Sequence, residues 1–315
     1  MPAKPNEILI TRVYDAPVKL VWEAWTDPKK AAKWWGPRGF TLTTKSKDLR
    51  PGGQWIYTMH GPDGKDWPNI ATYHEVVKYE KLVYDHGATE TTPPLFRVTV
   101  TFKEDKGKTT MTMISAFATP DIREQMGKFI KEASGNSTWD RLAEYIVEET
   151  EGKDAFVINH SFPTDIATAY SLWTDPVKYA KWMGPAGSKM TFLSADFREG
   201  GKSRWSMEMP TATVMYGVMN HKQLVPNRLV VYSQNFSDEK GNLAKFPFIS
   251  TYPDQVLTTV ILAEEEGGQT RITLKWEILG DATEAERKTF HGMKSSMNQG
   301  WEQSFDRFEA LVTGQ

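Results

Sequence analysis

Trp25-Thr26-Asp27-Pro28-Lys29-Lys30-Ala31-Ala32-Lys33-Trp34-Trp35-Gly36-Pro37 returns 148 residues later (173 less 25) as Trp173-Thr174-Asp175-Pro176-Val177-Lys178-Tyr179-Ala180-Lys181-Trp182-Met183-Gly184-Pro185. In each stretch an aspartate can cap a fresh helical turn, and a proline fits its first position, where no N–H is needed. A Gly-Pro pair then stops the helix. At the same offset, Asp48-Leu49-Arg50-Pro51-Gly52-Gly53 lies over Asp196-Phe197-Arg198-Glu199-Gly200-Gly201, and Met59 over Met207. The register drifts across an insertion placed at Ser233–Gln255. It recovers where Thr109–Met113 lies over Thr270–Leu274, and Trp139-Asp140-Arg141-Leu142 over Phe305-Asp306-Arg307-Phe308. A period this long marks duplicated domains, not a solenoid. The expected copies span 6–149 and 155–314, joined by the polar run Glu148–Asp154.

The 315 residues carry a net charge of −2, so no basic field draws in nucleic acid or anionic membrane, and neither is an expected partner. The chain contains no cysteine, which excludes disulfide scaffolds, thiolate nucleophiles and cysteine-ligated metals. Met1–Glu7 lacks the apolar run of a signal peptide, so a soluble cytoplasmic protein is expected. Aromatic and methionine content is high, with 12 Trp, 15 Phe, 11 Tyr and 13 Met. Such side chains pack cores or line hydrophobic cavities.

Each copy reads as a strand, two short helices, a run of antiparallel strands and one long amphipathic helix, an α+β order. The opening strands are Glu7–Tyr14 and Phe156–Phe162. Asp15 is the expected cap of the first helix, with Val18, Val21, Trp22 and Trp25 at helical spacing. Strands are expected at Gln54–His60, Ala71–Val77, Lys81–His86, Leu95–Lys103 and Thr109–Phe117. The closing helix of the first copy carries Ile122, Met126, Phe129, Ile130, Ala133, Trp139, Leu142 and Ile146 as its apolar stripe. In the second copy the stripe runs from Phe290 to Val312, and Thr283-x-x-Glu286 is a capping-box signature.

This order and these motifs resemble the START-like superfamily (Bet v 1-like, or helix-grip). Within it, both copies are similar to the heat-shock-protein-90 ATPase activator homologues. The carrying residues are Trp25–Pro28 and Trp173–Pro176, Trp34–Pro37 and Trp182–Pro185, the Gly-Gly pairs, and the closing Gly300-Trp301 and Asp306-Arg307. The first copy departs by having Ser134-Gly135 where Gly-Trp is expected. The resemblance implies a curved antiparallel sheet wrapped on a long C-terminal helix, with a cavity between them. It also implies three alternatives: non-enzymatic binding of small hydrophobic or aromatic ligands, a co-chaperone or other protein-binding module, or a cyclase- or hydrolase-like enzyme. The first is the preferred reading.

The six histidines show no metal-ligand spacing, and no phosphate loop, nucleophile elbow or dinucleotide fingerprint is present. No catalytic residue, metal or cofactor is therefore nominated. The recurring acids Asp27, Asp175, Asp48 and Asp196 read as architecture. What remains is apolar. Trp55, Tyr57 and Met59 share one strand face by period two, as do Trp205, Met207 and Met209, with Ser203 replacing Trp55. Met111 and Met113 correspond to Ile272 and Leu274, followed by Trp276. With Tyr73, His86, Tyr232 and Trp301, these are the candidate pocket-lining residues. If ligands bind, the second pocket is expected to be the roomier, beside Ser203, and the aromatic insertion is a candidate lid.

Overall fold

The computed structural model describes residues 3–132, 137–265 and 267–314. The chain divides into two compact units, Met1–Gly152 and Lys153–Gln315. The first is built from β1 (Glu7–Tyr14), α1 (Val18–Thr26), α2 (Pro28–Trp34), β2 (Thr41–Lys47), β3 (Gln54–His60), β4 (Asp66–Val77), β5 (Lys81–Ala88), β6 (Phe96–Asp105), β7 (Lys108–Ala116), α3 (Pro120–Glu132) and α4 (Ser137–Glu151). Its seven strands form one antiparallel sheet in the order β1-β7-β6-β5-β4-β3-β2. The second repeats the plan with β8 (Ala155–Phe162), α5 (Ile166–Thr174), α6 (Pro176–Trp182), β9 (Lys189–Ser194), β10 (Lys202–Glu208), β11 (Val214–Val225), β12 (Leu229–Ser237), β13 (Val256–Glu265), β14 (Gln269–Ile278), α7 (Glu284–Gly292) and α8 (Lys294–Thr313). Its sheet runs β8-β14-β13-β12-β11-β10-β9. Each unit is a helix-grip domain.

The repeated motif folds as its chemistry requires. Asp27 accepts hydrogen bonds from the N–H groups of Lys29 (2.8 Å) and Lys30 (3.2 Å). Asp175 does the same for Val177 and Lys178. Trp34 donates its indole N–H to the Ala24 carbonyl, and Trp182 donates to Leu172. In the Gly-Gly turns, a Cβ on Gly53 would overlap the carbonyl oxygen of Asp48, and one on Gly201 that of Asp196. The two aspartates mark architecture.

Several expectations are corrected. Asp15 does not cap α1; it pairs with Lys108, and the cap position is Pro17, which has no side-chain acceptor. The orphan N–H of Val18 is instead satisfied by the Glu104 carboxylate at 2.8 Å. In the second unit Asp165, which stands where the first has Pro17, does cap its helix, accepting from Thr168. Strand β2 was not expected, because its sequence Thr-Leu-Thr-Thr-Lys-Ser-Lys buries only Leu42 and gives almost no apolar alternation. Part of the expected polar linker is helix, since α4 continues to Glu151. The insertion is shorter than expected, because β12 extends to Ser237 and the long loop is 238–255, against 89–95 in the first unit.

The closing helix is also two helices in each unit. In the second, the capping box forms as expected at Thr283 and Glu286, and Phe290, Met297, Trp301, Phe305 and Phe308 are buried. In the first, α4 buries Trp139, Leu142 and Ile146, but α3 leaves Ile122 and Phe129 exposed. The reason is its docking site. α3 lies against the edge strand β1, where Arg123 donates to the Glu7 carbonyl, and not across the inner face of the sheet. Ala133 and Ser134-Gly135 lie outside the described residues.

The missing Gly-Trp has a substitute. Trp139 stacks on Trp25 with centroids 5.4 Å apart and planes at 12°. Trp301 stacks on Trp173 at 6.0 Å and 23°. Arg141, two residues after Trp139, donates to the carbonyls of Gly36, Pro37, Phe40 and Lys33. Arg307, six residues after Trp301, clasps the equivalent carbonyls of Gly184, Pro185, Ser188 and Lys181. The arginine clasp is thus held in register while the stacking tryptophan has moved one helical turn along.

Candidate functional site

The two interiors differ. In the first unit Trp35, Trp55 and Tyr57 are all buried and face one another at short range. The Trp35 and Trp55 rings are 4.8 Å apart and the Trp55 and Tyr57 rings 4.2 Å apart. Trp55 donates to Thr44, and the Lys47 ammonium sits 3.7 Å over its ring. Tyr73, Met111 and Met113 are core side chains. The Tyr57 hydroxyl lies 3.4 Å from Nδ1 of half-buried His86, and burial pushes that imidazole down to about 4. Met59 packs against this core from its edge.

In the second unit the same sheet face encloses a cavity of about 280 Å3. Strand β10 contributes Trp205 and Met207 to its wall, β11 contributes Met215 and Met219, and α6 and β9 bring Met183 and Met190 to one end. Met293, Met297 and Trp301 close it from the helical side, and Trp276 from β14. Seven of the lining residues are methionines. At the 148-residue offset, Met183 stands for Trp35, Met190 for Leu42, Met215 for Trp67 and Met219 for Ala71.

Trp205 itself does not refill the space. It pairs across the sheet with Gly217, and a Cβ on that glycine would overlap the indole ring. The ring therefore lies down on β11, where the first unit has Tyr57 opposite Asn69. One glycine lets the largest side chain on the strand lie against its neighbour and leave the interior open.

The roof is the long loop. Phe246 stacks on Phe236 of β12 at 4.7 Å and 26°, and Tyr252 packs on Phe246 at 5.5 Å. Phe246, Tyr252, Pro253 and Asp254 all reach the cavity. Lys245 holds the loop down, bonding Asp254 at 2.6 Å and Glu286 of α7 at 2.9 Å. The Glu286 carboxyl is held down to about 2 by Lys245 and by the Thr283 cap. Thr251 and Thr289 add a hydroxyl contact at 2.8 Å.

Of the residues expected to line this pocket, Trp205, Met207, Trp276 and Trp301 do so. Met209 and Tyr232 fall outside the wall; Tyr232 is buried beneath it, with its hydroxyl 3.2 Å from that of Tyr179. The cavity is also not beside Ser203, which is buried at 0% exposure. The volume that Trp55 fills in the first unit is taken here by Phe192 and Phe197, whose counterparts are Thr44 and Leu49. The His221 ring packs on Phe197 at 4.4 Å.

That corner holds a feature the sequence did not disclose. Ser203 Oγ lies 3.2 Å from His221 Nε2, the spacing of a nucleophile and its base. Both are sealed from solvent and neither lines the cavity. His221 Nδ1 has no hydrogen-bond partner among the described residues, so no third group orients the ring. Among the described residues no group of His, Asp or Glu is placed to hold a metal ion, and no helix is long and apolar enough to cross a membrane.

No functionally curated protein matches the chain. Solved structures similar to parts of it include a protein from Nitrosomonas europaea, 24% identical, covering 48% of this chain and 100% of that one with a TM-score of 0.43. Another, from Staphylococcus epidermidis, is 28% identical and covers 47% and 93% with a TM-score of 0.42. The di-domain ARO/CYC protein BexL of the BE-7585A biosynthetic pathway spans 96% of this chain and 97% of its own, at 12% identity and a TM-score of 0.38. The family model for activator of Hsp90 ATPase homolog 1-like proteins matches twice, over residues 15–147 and 163–313. With nearly the whole chain covered, this protein belongs to the activator of Hsp90 ATPase homolog 1-like family, as two tandem copies of its domain.

Proposed function

We propose that the second unit binds small hydrophobic or aromatic ligands without transforming them, and that the first unit is a filled relative of the same domain. The observation that carries this is the cavity of about 280 Å3, walled by thioethers and aromatic rings, in one copy, against packed tryptophans in the other. Ligand sites are concave, mostly apolar and furnished with few polar groups. Methionine walls adapt their shape and attract ring edges. A binding role without chemistry fits the placement of the reactive-looking groups, because Ser203 and His221 are outside the wall and Asp254 is engaged by Lys245.

The test is titration with the neutral fluorescent probe N-phenylnaphthylamine, followed by emission and by calorimetry. The expected stoichiometry is one probe per chain. Met183→Trp, which places the first unit's residue at the cavity end, should weaken binding by about a hundredfold, the effect of filling a site that remains folded. Absence of binding to the unaltered chain, or unchanged affinity in Met183→Trp, would end this reading.

A further inference from the structure

We infer that the cavity of the second unit selects ring compounds whose edge carries a hydrogen-bond donor and acceptor side by side, as a cyclic amide does, and that the side-chain amide of Gln234 receives them. The inference rests on the ligand-binding reading and narrows it to a chemical class.

Gln234 is a polar residue set in a largely apolar wall. On β12 it follows Val230 and Tyr232 at period two, and both of those are buried in the core, so its side chain stands on the same inner face. The sheet register places it between Met219 of β11 and Val256 of β13, two further wall residues. Gln234 is half-buried. Its amide oxygen and nitrogen have no hydrogen-bond partner among the described residues, and neither is sealed as the Trp276 Nε1–H is. Polar groups in protein interiors are hydrogen-bonded in the great majority of cases, so an unpartnered amide in a cavity wall marks a place for a partner.

The first unit shows what covers this position when the interior is filled. His86, 148 residues earlier (234 less 86), lies 3.4 Å from the Tyr57 hydroxyl and packs at 4.9 Å on Phe96, its neighbour across the sheet. In the second unit Trp205 stands for Tyr57 and has no hydroxyl, and Val256 stands opposite in place of Phe96. The covering groups have gone and the cavity has taken their place.

A primary amide presents an acceptor oxygen and a donor nitrogen along one edge. Its complement is a ligand edge with the two reversed, which a lactam supplies in two parallel hydrogen bonds. The other polar wall residues offer no such edge to the interior. The Tyr179 hydroxyl is paired with that of Tyr232, and Ser304 donates to the Gly300 carbonyl. Asn235 stands on the opposite strand face and donates to the Phe236 carbonyl. Asp254 and Ser296 are exposed, where water competes for them. Tyr252 presents a single hydroxyl from the roof. The volume, just below the range typical of drug-sized ligands, suits about two fused rings.

Three bicyclic probes test this by calorimetry or by displacement of the fluorescent probe: naphthalene, quinolin-2-one and N-methylquinolin-2-one. Methylation blocks the lactam donor and keeps the rings and the carbonyl. Quinolin-2-one should bind about tenfold tighter than its N-methyl form, the worth of one hydrogen bond. Gln234→Met keeps the length of the side chain and removes the amide. It should erase that margin and leave naphthalene affinity unchanged, which also reports that the variant is folded; Gln234→Leu repeats the comparison if naphthalene binding is lost. Equal binding of the two quinolinones to the unaltered chain would overturn the inference. So would a margin that survives the loss of the amide, since Tyr252 or the bulk of the methyl group would then set it. Either result leaves an apolar binding site intact while naphthalene binds. Failure of all three probes, naphthalene included, would remove the ligand-binding reading as well.

Discussion

The two units share a fold, a capping scheme and an arginine clasp, yet one is packed with indoles and the other is open. The difference arises at few positions. Trp35 becomes Met183, Asn69 becomes Gly217, and Trp55 becomes Ser203 with Phe192 and Phe197 filling behind it. The last of these compensates and leaves no space, whereas the first two do not compensate. A cavity in this fold therefore depends less on how small the inner residues are than on where the large rings can lie. Trp205 is larger than Tyr57, but it lies against Gly217 and forms part of the cavity wall. The long loop then roofs the space in the second unit.

The sharpest way to break this comparison is to remove the matched stacking tryptophans and read local stability by hydrogen exchange in the intact chain, which resolves the two units. Trp139→Ala should cost the first unit about 4 kcal/mol, because the ring is buried, stacks on Trp25 and packs on Trp34. Trp301→Ala should cost the second unit less, about 2 kcal/mol. That ring lines an existing cavity, so part of its surface has no packing partner to lose. An equal or larger loss at Trp301 would mean that the cavity is closed in solution.

A smaller effect is expected from acid. In the folded first unit burial holds His86 near 4, below the ordinary 6.5, so the unfolded chain binds a proton in that window and the folded chain does not. Stability of the first unit should therefore fall as pH drops from about 6.5 toward about 4. Solvent reaching the half-buried ring limits the loss to about 2 kcal/mol. His86→Gln installs the residue that the second unit carries at Gln234 and should flatten this slope. Thermal unfolding of both chains at pH 5 and 7.5 measures it, and identical pH dependence in the two would refute the assignment to His86.

The smallest effect should come from the loop. Lys245 is about half exposed, so its ion pairs are screened and individually weak. Lys245→Met should speed probe release about threefold and make that rate insensitive to salt. Stopped-flow dissociation at low and high salt reads this directly. An unchanged rate would show that the aromatic contacts of Phe246 and Tyr252 hold the roof unaided.

The duplication, the helix-grip order, the caps at Asp27 and Asp175 and the Gly-Gly turns were legible in the sequence, whereas the cap expected at Asp15 did not form. Each is written in short-range grammar: a capping residue, a proline at a first turn, a glycine where no side chain fits. The face of β3 or β10 on which an aromatic residue sits was legible too, because strand periodicity settles it. Two features escaped because their signals are not local. β2 lacks apolar alternation and is recruited only by pairing with β3. The role of Trp139 was hidden because ring position and backbone register part company on a helix. The cavity itself was decided by tertiary structure alone. Ser203 looked like the place where volume was missing, and Phe197 and Phe192, 6 and 11 positions before it on the preceding loop and strand, filled that volume instead. Close packing is a property of neighbours across the fold, so composition marks which side chains meet in the interior, and only their three-dimensional fit determines whether space is left between them.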